Sequence, residues 1–122
     1  MPATCDGEGT RNAAGSMAPL GRGSVTVLDT TPELANAGDN DWHVLVQDPL
    51  GEPVIGAYLS LTAFMPVHGH ASPKVALSVD DGDGSYRLSP VTLSMPGVWL
   101  VDLTVTSDPA AGRATFEICV GP

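Results

Sequence analysis

Apolar side chains recur at every second position along most of this chain, in short runs separated by Gly, Pro, Asp and Asn. A period of two puts alternate side chains on opposite faces of an extended strand, so each run predicts a strand with one core face and one solvent face. Strands are predicted at 24–28, 42–47, 57–64, 74–79, 85–93, 98–106 and 113–120. Trp42, Val44 and Val46 share one face against His43, Leu45 and Gln47, and Trp99, Val101, Leu103 and Val105 share another. Both tryptophans are therefore assigned to core packing, and His43 to an outward, solvated or partner-facing position. Val75, Leu77 and Val79 keep the same period, and Asp80-Asp81-Gly82-Asp83-Gly84 is a hairpin-turn signal between two of the runs. Pro90 implies a bend or an edge within its strand. No stretch has helical periodicity. About seven strands with turns at this spacing fit a two-sheet antiparallel sandwich.

A chain of 122 residues fits one domain. The segment 24–122 carries the strand pattern, whereas 1–23 is rich in Gly, Ala, Asn and Ser and is expected to be an irregular arm. Its anchor is expected to be a disulfide between Cys5 and Cys119, the two cysteines of the chain, near its opposite ends. Pairing implies an oxidising compartment, periplasmic or extracellular, while two unrelated cytoplasmic thiols are the alternative. Residues 1–9 have neither a basic region nor an apolar stretch, so an export signal is not read in this sequence.

The formal net charge of −9, with five Lys and Arg, argues against nucleic acid, which requires clustered basic residues. Anionic membrane surfaces are disfavoured for the same reason, and no apolar run reaches the ~18 residues of a spanning helix. Catalysis finds little support, because there is no nucleophile elbow and no cysteine in an activating setting. The acidic turn 80–84 lacks the spaced ligands of a calcium loop and reads as a solvated hairpin.

Met65-Pro66-Val67-His68-Gly69-His70 contains two of the three histidines, two positions apart beside a thioether. In an extended segment i and i+2 point the same way, so His68 and His70 can present imidazoles to one ion. Met95-Pro96-Gly97 precedes a strand, and a sandwich can bring that turn to the same end. Thioether and imidazole form a soft donor set that suits Cu(I) better than zinc, magnesium or calcium. The plainer alternative has both methionines filling the core rim and both histidines in an exposed loop.

The segment 42–106 resembles the YtkA-like family, related in style to FixH-like domains of exported bacterial proteins. The matching features are Gly51-Glu52-Pro53-Val54-Ile55-Gly56-Ala57, the Met65 to His70 segment, Gly82-Asp83-Gly84-Ser85-Tyr86, and Met95-Pro96-Gly97-Val98-Trp99, in that order. The resemblance implies an immunoglobulin-like β-sandwich in an exported protein, often in copper or metal-handling settings. It singles out Met65, His68, His70 and Met95 as a metal ligand cluster, and the sequence departs from the family pattern at Val67, where many relatives carry Met. The expectation is a non-enzymatic, extracytoplasmic module that binds or delivers copper ion, alone or with a protein partner in an exported metal-handling pathway. The alternative is a structural or protein-interaction sandwich with no physiological metal.

Overall fold

The computed structural model describes Cys5 and residues 9–67, 69–72 and 75–121, with the main chain alone at His70. Among these residues the elements are β1 (Met17–Pro19), β2 (Ser24–Thr31), β3 (Gly38–Gln47), β4 (Tyr58–Met65), β5 (His70–Ala71), β6 (Ala76–Asp80), β7 (Ser85–Leu93), β8 (Gly97–Thr106) and β9 (Gly112–Val120). Their ladders are antiparallel throughout. No helix among the described residues is long and apolar enough to cross a membrane. The seven runs expected from the period of two are β2, β3, β4, β6, β7, β8 and β9. Two short strands lie where loops were expected. β1 interrupts the arm by pairing Met17 with Thr26 and Pro19 with Ser24, and β5 places Ala71 and His70 opposite Phe64 and Met65. Neither is long enough to show a side-chain period, since only main-chain hydrogen bonds define it.

The hydrogen-bonded path runs β1-β2-β3-β7-β6-β4-β8-β9. It folds over between β6 and β4, which among the described residues share the pairs Ser60–Leu77 and Leu61–Ala76. The β2-β3-β7-β6 layer thereby faces the β4-β8-β9 layer. Trp42 of β3 meets Phe116 of β9 edge to face, with ring centroids 5.6 Å apart. This geometry suits the ring quadrupoles and joins the layers across the core. Trp99, Tyr86, Leu59, Leu61, Leu88, Leu103 and Ile118 are fully buried around them, each side chain contributing about 1.5–3 kcal/mol by leaving water. The expectation of an all-β sandwich holds, with the path closing far enough on itself to approach a barrel.

The closure uses the N-terminal arm. Thr10 lies parallel to Ile118, its N–H donating to Glu117 O at 3.0 Å and its carbonyl accepting from Cys119 N at 2.8 Å. Arg22 and Ala111 exchange a second pair of main-chain bonds, at 2.8 and 3.0 Å. The free edge of β9, a row of donors and acceptors open to another chain, is covered in this way. The expected disulfide joins Cys5 to Cys119 beyond it. Cys119 packs with Cys5 and Val98 in a small cluster apart from the main core, as its outward parity requires.

Two irregularities re-aim side chains. Val27 pairs with Val44 but Asp29 pairs with His43, so Leu28 is an extra residue in β2. In β7, Ser89 and Pro90 together oppose Asp41, since Asn40 pairs with Val91 and Trp42 with Leu88. The strand accommodates Pro90 in a bulge, where a missing N–H breaks no ladder bond, and not at a sheet edge.

Candidate functional site

Met65 ends β4 with its side chain in the core, 1% exposed. Its terminal methyl lies under the turn that leads into β8, because a Cβ added at Gly97 would stand 2.5 Å from Met65 Cε. Gly97 leaves that space open and also holds a φ of 129°, which side chains rarely adopt. Two residues earlier, Met95 packs partly buried against the same core, and its carbonyl accepts a hydrogen bond from Trp99 Nε1 at 2.9 Å. The buried indole is thus satisfied, and the bond pins the turn. On the other side of Met65, the main chain of His70 is its ladder partner. Met65, the Met95 turn and the His70 backbone therefore meet at one end of the sandwich. Val67 is 79% exposed at the tip of the loop. His68 and the side chain of His70 lie outside the described residues. Among the described residues no three of His, Cys, Asp and Glu gather in a way that could hold an ion.

The acidic turn behaves as a hairpin loop between β6 and β7. Asp80 accepts from Gly82 N at 2.7 Å and from Gly56 N at 2.9 Å. Asp83 accepts from Ser85 Oγ at 2.6 Å and from Ser85 N at 3.0 Å, and these bonds, the hydroxyl first, hold its carboxyl below the ordinary value. Both side chains satisfy main-chain donors that a tight loop would otherwise leave unpaired.

A second constellation lies on the outer face of the β2-β3-β7-β6 layer. The register sets Asp29, His43, Arg87 and Val79 in one cross-strand row. His43 Nδ1 lies 3.1 Å from Asp29 Oδ2, and its Nε2 lies 3.3 Å from Asp81 Oδ2. The Nε2 contact is misaligned, so that buried nitrogen makes no hydrogen bond. Arg87 Nε approaches the same Asp81 oxygen at 3.4 Å. With both ring nitrogens turned to carboxylates, His43 is not aimed at a hydroxyl nucleophile. Beside this row lies a groove of about 330 Å³ bounded by Asp41, Ser89 and Leu77. Alternation predicts the outward parity of His43; its partners depend on the Leu28 bulge and on the β6–β7 hairpin, which one-strand patterns do not reveal.

No curated protein matches the chain. The YtkA-like family matches residues 23–104. That span runs from the start of β2 almost to the end of β8 and includes the Met65 loop, the acidic hairpin and the Met95 turn. As the match covers more than half of the sequence, the chain belongs to the YtkA-like family.

Proposed function

We propose that this protein is an extracytoplasmic, non-catalytic module that binds copper, as Cu(I), through Met65, His68, His70 and Met95. The observation that supports the reading most is the contact between the Met65 methyl and the Gly97 position, with His70 paired to Met65 on the main chain. The end of β4 and the turn before β8, far apart in sequence, thereby come together at one end of the molecule, which supports a site built from their methionines and the histidines that follow Met65. Met65 would form the inner, water-excluded floor of the site and Met95 its rim, with the histidines supplied by the loop. Cu(I) is a soft cation, for which thioether sulfur and imidazole nitrogen are matched donors. The Cys5–Cys119 disulfide fits the same reading, since such bridges persist in oxidising compartments.

The test is anaerobic titration of the disulfide-intact protein with Cu(I) against a chromophoric chelator. The protein is expected to compete for the metal. His68→Ala/His70→Ala should weaken affinity by at least about tenfold, as should Met95→Leu, which removes sulfur at nearly constant volume. Val67→Met adds a thioether at an exposed position next to His68 and should strengthen binding. Failure to compete, or affinity unchanged in the histidine variant, would remove the copper reading.

A further inference from the structure

On β6 the usual sorting is inverted. Leu77 and Val79 point outward, 58% and 64% exposed, while the alternate positions that turn toward the core side hold Ala76 and Ser78. A strand that turns its small residues inward and offers its aliphatic ones to water has a face suited to another surface. Opposite this apolar wall the same groove carries Asp29 and Asp41. Asp41 accepts a hydrogen bond from Ser89 Oγ at 2.6 Å. The groove's one guanidinium, Arg87, is held on Asp81, 3.4 Å away.

We infer that this groove docks an extended segment of a partner protein that presents a lysine or arginine beside an aliphatic side chain. The argument is complementarity of two kinds. A lysine or arginine has an apolar stem and a charged head, so its stem fits against Leu77 and Val79 while its head reaches Asp41 and Asp29. The chain's net charge of −9 repels acidic partners and a second copy of itself, and draws a basic segment in. The groove lies on the outer face of β3, β6 and β7, whereas the Met65 side chain is buried in the core, and its occupation does not depend on copper.

The experiment uses uniformly ¹⁵N-labelled, disulfide-intact protein and two probes, acetyl-Val-Lys-Leu-amide and acetyl-Val-Glu-Leu-amide, followed by amide chemical shifts. The lysine peptide should give saturable shifts confined to residues 29–31, 41–43, 77–79 and 87–89, weaker at high salt. Leu77→Ser/Val79→Ser, or Asp41→Asn alone, should each raise the dissociation constant about tenfold. All of these side chains are on the surface, and unchanged shift dispersion checks that the variants fold. The inference is overturned by absence of saturable shifts, by shifts elsewhere, or by equal binding of the glutamate peptide. Sedimentation showing a dimer that Leu77→Ser/Val79→Ser dissolves would overturn it too, by assigning the face to self-association.

Discussion

Tyr86 shows how one side chain ties a loop to the core. It is fully buried, its hydroxyl donating to Val54 O at 2.6 Å and accepting from Ala57 N at 3.0 Å. These bonds span the segment that leads into β4, whose own donors would otherwise be stranded over the core. Tyr86→Phe leaves a carbonyl and an N–H there without partners, and chemical denaturation should show a loss of about 1–3 kcal/mol. Burial also pushes the Tyr86 hydroxyl above its usual value of 10.0, because the phenolate would lose its hydration. A raised value means that the stabilisation is complete below the unfolded-state pKa and is lost as pH climbs through the folded one. Wild-type stability should therefore fall above about pH 10, and the Phe variant should show a shallower alkaline slope. Equal slopes would show that Tyr86 ionises as readily folded as unfolded.

At the level of elements, β9 is held on one side by β8 and on the other by a few main-chain bonds from the arm, whose buried apolar side chains, Ala13, Ala18 and Leu20, come after Thr10. Gly9, Thr10, Arg11 and Asn12 carry no apolar side chain to bury, so the Cys5–Cys119 bridge is expected to keep Thr10 beside Ile118. The bridge closes a loop with a sequence separation of 114. Cys5→Ser/Cys119→Ser is expected to cost about 2–5 kcal/mol, lowering Tm by roughly 10–20 °C. In this variant amide exchange should accelerate first at positions 10 and 119, before the β3–β7 ladder is affected. Protection unchanged at those two amides would mean that the hydrogen bonds hold the arm unaided. The strands themselves were legible in sequence to different degrees. Runs such as 98–106 announce both existence and inward face, since Trp99, Val101, Leu103 and Val105 are all buried. β6 announces only its existence: its alternation is real, yet its apolar set faces out, and periodicity carries no sign that says which face is inside.

For the molecule as a whole, what sequence patterns reveal is set by how local the cause is. The hairpin at 80–84 follows from local turn chemistry, whereas the pairing of Cys5 with Cys119 is legible because the chain has two cysteines. The Asp29–His43–Asp81 array arises only when three strands find register, and the contact between Met65 and Gly97 only when the two layers close. Charge also acts at this scale. Fourteen Asp and Glu stand against five Lys and Arg, so repulsive pairs outnumber attractive ones across the surface. Salt screens both kinds. It weakens contacts such as Arg87–Asp81, but an exposed pair of that sort contributes at most about 1 kcal/mol. It also relieves self-repulsion summed over the whole shell, since the screening length falls from about 30 Å at 0.01 M to about 10 Å at 0.1 M. The second effect should win. Thermal unfolding is expected to move upward by a few degrees over that range of sodium chloride. A downward shift would mean that a few local attractions, Arg87–Asp81 among them, outweigh the excess of negative charge.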